Sequence, residues 1–168
     1  QLCFTVSLGA VTATRARHGR GSFTLHHSRA WIVDDNQAHR ELLRHMLNAA
    51  GIRTRCAGSA SEGLELLHQY AADDPFELAL IDADMPVTSG FVLAEQIATR
   101  NIPVSVVMML GTSAQRHASQ RCRDLNLDAQ LLKPIMSEEL LETVARVVEA
   151  RESSSARSRK LVQHQASL

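Results

Sequence analysis

The chain has 168 residues, 45% of them hydrophobic and 21% charged, enough to bury the core of one domain and too apolar for wholesale disorder. Eighteen Lys and Arg balance eighteen Asp and Glu, but unevenly: residues 30–150 hold ten basic and seventeen acidic side chains, while residues 1–29 hold four Arg and no acid. An acidic middle between basic flanks gives no support to nucleic-acid binding by the core, and no apolar run approaches the roughly 18 residues needed to span a bilayer.

Residues 1–28 form an N-terminal flank. Thr12 to His27 is rich in Arg, His, Gly and Ser without a sustained period, which marks a linker. The start at Gln1, with no charged leader ahead of an apolar stretch, is not a signal peptide, and a piece of a longer protein is expected. Cys3, Cys56 and Cys122 lie far apart with no CxxC pair. They are expected to be reduced, in a cytoplasmic protein, with Cys56 and Cys122 serving as packing residues.

From residue 29 the pattern changes. Five short apolar runs recur about every 25 residues: Ala30–Val33, Ile52–Cys56, Phe76–Ile81, Val104–Leu110 and Ala129–Leu132. Helical stripes lie between and after them. Leu42, Leu43, Met46, Leu47 and Ala50 mark the first, with Gly51 placed to end it. Ser59 and Glu62 have capping-box spacing ahead of Leu64, Leu67 and Tyr70. Leu93 and Ile97 mark the third; Ala118, Cys122 and Leu125 give the fourth a thin apolar face, so it should be the least firmly held. Leu140, Leu141, Val144, Val147 and Val148 make a strong fifth. Continuous apolar strands alternating with helices indicate a parallel sheet covered on both faces, a doubly wound (βα)5 α/β domain over residues 29–150. Ser153-Ser154-Ser155 then opens a polar C-terminal linker, residues 151–168.

In open α/β sheets, function gathers beyond the C-terminal ends of the strands. Asp34 and Asp35 follow the first strand, Asp82 ends the third, Gly111-Thr112-Ser113 follow the fourth, and Lys133 ends the fifth. Carboxylates cannot share a small site while ionised unless a cation joins them. Oxygen ligation by two carboxylates, a carbonyl and waters suits Mg²⁺, which also contacts phosphate. Such an ion beside a carboxylate and a lysine forms a place to receive a phosphoryl group, with Asp82 as the nucleophile. Lys133 stands out independently: the chain has sixteen Arg and two Lys, and Lys160 lies in the flank. A compact point charge suits a crowded phosphoryl group better than a planar fork, and Lys133-Pro134 is a candidate cis bond. Each piece alone has a plainer reading: Asp34-Asp35-Asn36 as a helix cap, Asp82 and Asp84 as a turn, Lys133 as a solvated charge.

IVDDN at 32–36, LIDADMPVTSG at 80–90 and LLKP at 131–134 together resemble the receiver domain of two-component response regulators, over about 120 residues. The resemblance implies a flavodoxin-like fold with strand order 2-1-3-4-5, and Asp82 as acceptor from phosphohistidine. It implies that Asp35 and Asp82 ligate Mg²⁺ with the backbone carbonyl of Asp84, that Asp34 acts mostly through water, and that Lys133 pairs with the phosphoryl oxygens. Receivers catalyse their own phosphotransfer and dephosphorylation. Two positions depart from the pattern: the hydroxyl residue ending the fourth strand falls on Gly111, with Thr112 one residue late, and the switch aromatic three residues before the lysine is Gln130.

Residues 2–9 resemble the last strand of a histidine-kinase ATP-binding domain, and residues 161–168 are similar to linkers between tandem receivers. A receiver from a bacterial hybrid sensor histidine kinase is therefore expected. Its partners would be a histidine kinase or histidine phosphotransfer domain, with or without a second receiver in the chain. The parent chain would be a kinase anchored in the inner membrane or free, and this part would touch neither membrane nor nucleic acid. It holds no phospho-acceptor His box and no ATP-binding glycine motif, so ATP-dependent kinase activity is not expected of it. Two alternatives remain. One is a degenerate receiver that only binds proteins, prompted by Gly111 and Gln130. The other is an aspartyl phosphatase of the haloacid-dehalogenase type, prompted by Asp82-Ala83-Asp84; there, however, the nucleophile normally lies on the first strand.

Overall fold

The computed structural model describes residues 28–70, 75–111 and 115–165. Strands and helices alternate throughout: β1 Arg29–Val33, α1 Gln37–Ala49, β2 Arg53–Ala57, α2 Ala60–Tyr70, β3 Leu78–Asp82, α3 Gly90–Thr99, β4 Ser105–Leu110, α4 Gln115–Asp124, β5 Ala129–Leu132 and α5 Ser137–Gln165. All strand pairs are parallel and the order is β2-β1-β3-β4-β5. The expected doubly wound sheet and its strand order are what the chain forms.

Side chains on a strand alternate between its faces, so each continuous apolar run feeds two cores. Ala30, Ile32, Leu78, Leu80, Val107 and Met109 pack with Leu43 and Leu47 of α1 and Leu140, Val144 and Val147 of α5. Their neighbours Trp31, Val33, Ala79, Ile81, Val106 and Met108 pack with Leu67 of α2, Phe91 and Ile97 of α3, and Cys122 of α4. Both faces are covered by these side chains, and the register Ile32↔Leu80 and Ile81↔Met108 keeps the central strands in step.

Helix ends follow local chemistry. Asn36 caps α1, its side chain accepting from the His39 N–H, so Asp34 and Asp35 are left for other work. Gly51, at φ 85°, closes α1 with paired bonds from Gly51 N–H to the Asn48 carbonyl and from Ile52 N–H to the Leu47 carbonyl. The capping box forms with a shift: Glu62 N–H donates to Ser59 Oγ at 3.2 Å, while the Glu62 carboxylate reaches back to Gly58 N–H at 2.6 Å. Among the described side chains of α4, only Cys122 is buried in the core, with Ala118 and the following Leu125 partly covered. Arg121 supplements it from above, lying over the Phe91 ring at 4.7 Å and paired with Glu95 at 2.7 Å.

The C-terminal flank is helical as far as Gln165. Ser153-Ser154-Ser155 does not interrupt α5, which runs on to Gln165. Residues 137–165 contain neither Gly nor Pro, and serine lowers helix propensity by only a few tenths of a kcal/mol, about 0.5 at most. Polar composition therefore marks where the core ends without breaking the helix. Among the described residues no helix is long and apolar enough to cross a membrane. Residues 1–27, which make up all but the last residue of the expected flank, lie outside the described residues, as do Thr112 and Ser113.

Candidate functional site: an acidic rim with one lysine

β1 and β3 are neighbours in the sheet, so the ends of the two strands deliver their carboxylates side by side. Asp34 is fully buried and Asp82 nearly so at 3% exposure, while Asp35 is exposed. Oxygens of Asp34, Asp35 and Asp82 lie within 4.8 Å of one another. Nothing but oxygen is offered, the donor set for a hard divalent cation. Lys133 closes the group from β5: its Nζ stands 2.7 Å from Asp82 Oδ2 and 3.3 Å from Asp34 Oδ2. Burial works against its charge, but the hydrogen bond to Asp82 and the charges of Asp82 and Asp34 outweigh this and hold its pKa above the usual lysine value. Two buried carboxylates thus share one ammonium, and with Asp35 the group of three carboxylates and one lysine keeps two negative charges for a cation to match.

Backbone contacts hold the strand ends in place. Ala83 N–H donates to the Met109 carbonyl and Lys133 N–H to the Leu110 carbonyl, each at 2.9 Å. Lys133-Pro134 is cis, as its sequence allowed. Gly90, at the start of α3, passes so close to β3 that a Cβ there would lie 2.0 Å from the Asp82 carbonyl oxygen. Ser89 caps α3 with its hydroxyl and donates to the Ala83 carbonyl at 2.9 Å, stitching the loop back to the end of β3.

Asp34, Asp35, Asp82 and Lys133 are therefore brought together as the spacing suggested. Asp84 divides: its N–H donates to Asp82 Oδ1 at 3.2 Å, but its exposed carboxylate leans toward Gly111. Gln130 is exposed on β5. The sequence reading missed two residues on the first turns of α1. His39 Nδ1 lies 2.5 Å from Asp34 Oδ2, and the Arg40 guanidinium donates to the Asp34 carbonyl. With Asn36 N–H on Oδ1 at 2.8 Å, Asp34 is held from several sides. Side chains of a helix lean toward its N-terminus, and that direction could have pointed to a basic pair three and four residues after the cap. Cys56 and Cys122 are packing residues, burial pushing both thiols up.

A parallel (βα)5 sheet carrying this rim is the architecture of a two-component receiver, and the chain belongs to that family: the response regulator receiver domain matches residues 30–145. Among relatives, it is 36% identical over 120 residues to the sensor histidine kinase AtsR of Burkholderia thailandensis, covering 70% of this chain and 19% of that protein. It is 32% identical over 113 residues to the virulence sensor protein BvgS of Bordetella bronchiseptica, covering 64% and 9%. The chain thus spans about a fifth or less of these relatives. Among solved structures, a CheY-like receiver domain from Methanospirillum hungatei aligns with TM-score 0.67 and 26% identity, over 76% of this chain and 98% of that one. Chemotaxis protein CheY4 of Vibrio cholerae aligns with TM-score 0.64 and 25% identity, over 71% and 98%.

Proposed function

We propose that this domain receives a phosphoryl group from phosphohistidine onto Asp82 in a Mg²⁺-dependent relay. The observation that carries the reading is Lys133 Nζ at 2.7 Å from Asp82 Oδ2, inside a cluster of three carboxylates. An ammonium tied to the acceptor can follow the phosphoryl oxygens once the new bond forms. Asp82 attacks phosphorus as the P–N bond to the donor imidazole breaks, its electron pair returning to the ring nitrogen. Lys133 neutralises charge on the transferred group, and transfer of this kind depends mostly on positioning and neutralisation. Asp35, Asp82 and the Asp84 carbonyl would hold the Mg²⁺, with Asp34 acting through water. When bound, the ion offsets carboxylate charge and screens the incoming phosphate. His39 and Arg40 keep Asp34 oriented behind that group.

The donor would be a histidine kinase or histidine phosphotransfer domain, and the relatives favour a hybrid sensor histidine kinase as the parent protein. Residues 1–28 and 151–168 would then be connections to neighbouring domains, the second of them helical as far as Gln165, in a cytoplasmic part of the chain. Beryllofluoride with Mg²⁺ tests the reading. Saturable binding that is lost in Asp82→Asn supports it, and absence of binding at every Mg²⁺ concentration defeats it. A second reading, an interaction-only receiver, draws on Gly111 and the exposed Gln130. It would bind partners equally well with or without Asp82.

A further inference from the structure

Asp34 Oδ2 has two side-chain donors, one near in sequence and one far. His39 Nδ1 stands 2.5 Å from it, on the first turn of α1. A carboxylate only accepts, so Nδ1 carries the hydrogen of this pair. The histidine belongs to a short local circuit: Asn36 N–H donates to Asp34 Oδ1 at 2.8 Å, and Asn36 Oδ1 accepts from His39 N–H at 3.2 Å. The far donor is Lys133, whose Nζ lies 3.3 Å from the same Oδ2 but only 2.7 Å from Asp82 Oδ2. One donor is therefore fixed to Asp34 by the path of the chain, and the other is shared with Asp82.

The sharing matters when the charge at Asp82 changes. A phosphoryl group on Asp82 presents oxygens that draw Lys133 onward, and an ammonium that follows them leaves Asp34. The Asp34 side chain has no exposed surface, so bulk water cannot take the vacated place. A buried carboxylate that loses its partner is strongly destabilising, and a cation held by Asp35 and Asp82 would meet Asp34 only through water. We propose that His39 is a positioning residue for phosphotransfer: it keeps Asp34 compensated while Lys133 is on the phosphoryl group, and so frees the lysine to move. This rests on the reading of Asp82 as the acceptor. Without the imidazole, Lys133 is the one side-chain donor left to Asp34 among the described residues, and it is held back from the transferred group. A mobile cation and a fixed donor on one oxygen let charge be rearranged in a buried site without stranding a carboxylate.

Two measurements on the full chain test this. In the first, phosphate uptake from acetyl phosphate with Mg²⁺ is timed by intact-protein mass spectrometry. His39→Leu, which fills similar space without a donor, is expected to slow uptake about tenfold, the scale of one hydrogen bond to a charged group. His39→Asn is expected to restore the wild-type rate, because its amide nitrogen is bonded to Cγ just as Nδ1 is. A role in packing alone would not follow the donor in this way. In the second, urea unfolding without Mg²⁺ compares His39→Leu, Lys133→Ala and the double variant. Either donor alone can serve Oδ2, so the double variant is expected to lower the midpoint by more than the sum of the two single shifts. Additive shifts, an unchanged rate in His39→Leu, or His39→Asn as slow as His39→Leu overturns the proposal. Should the double variant not fold, His39→Asn with Lys133→Ala takes its place, and failure of that pair to fold is the adverse result. If the wild-type chain takes up no phosphate, the acceptor reading itself fails. Uptake that ignores His39→Leu sinks only the present inference.

Discussion

The rim of the sheet has two unlike halves. At the ends of β1, β3 and β5, buried charges are locked together: Asp34 and Asp82 share Lys133, and His39, Arg40 and Asn36 brace Asp34. At the end of β4 there is a glycine, and on β5 the outward position is an exposed glutamine. Among the described side chains of the helix beyond, α4, only Cys122 is buried in the core. On the proposed reading the first half carries the groups that would accept a phosphoryl group, while the second has Gly111 and Gln130 where the receiver pattern has a hydroxyl and an aromatic. Acceptance and readout would then be physically separable on one sheet, because they would depend on different strand ends.

The comparison breaks most completely at the proposed nucleophile. Asp82→Asn should abolish phosphate incorporation from acetyl phosphate while leaving the fold intact, since the amide fills the same space; intact-protein mass spectrometry reads the outcome, and incorporation at another residue would count against the assignment.

Two glycines sharpen the contrast between the halves. At Gly90 a Cβ would strike the Asp82 carbonyl at 2.0 Å, and backbone cannot step aside cheaply. Gly90→Ala should therefore cost about 3 kcal/mol in urea unfolding. At Gly111 the obstacle is the far end of a flexible Asp84 side chain, so Gly111→Ala should cost about 1 kcal/mol or less. Equal costs would mean the two halves are equally rigid.

Lys133→Ala should slow phosphorylation by about a hundredfold, the scale of losing one positioned charge in a transfer step. Thr112→Ala should do less. If the two proved equally damaging, the loop after β4 must present that hydroxyl and the halves are not separate. Lys133 also gives a pH signature. Its folded pKa is raised above the unfolded 10.5, so its stabilising contribution is fully present below that value and is lost as pH rises through the raised one. The alkaline decline of stability should be shallower in Lys133→Ala, measured by unfolding at pH 8 and at about pH 11.

The smallest effect belongs to Val87, fully exposed in the loop after β3 with φ 68°. A β-branched residue in left-handed backbone costs about 1 kcal/mol or more. Val87→Gly should recover roughly 1 kcal/mol of stability, with phosphorylation kinetics as the check that the loop still delivers Asp82.

Much of this was legible from residue order. Apolar runs followed by Asp34, Asp82 and Lys133 announced buried strands ending in charge, and the stripe ending at Gly51 bounded α1 closely. Local rules failed where the needed fact was a distance across the fold. The Asp34–His39 bond depends on how α1 leaves β1, and Asp34-Asp35-Asn36 alone could not say which of the three is the cap. The serines at 153–155 marked the end of the apolar stripe, and nothing in them could say whether the backbone would stay helical.

By itself the sequence determined the alternation of strand and helix, the two-sided burial of the sheet and the identity of the charged groups at its strand ends. These depend on periodicity and hydrophobicity, which are properties of neighbours along the chain. Only the tertiary structure decided that Lys133, ninety-nine positions from Asp34, meets it at 3.3 Å, and that Asp84 fills the space Gly111 leaves. Those contacts follow from strand register and the path of the loops, and a difference of one residue in either would separate the groups by more than a hydrogen bond can reach.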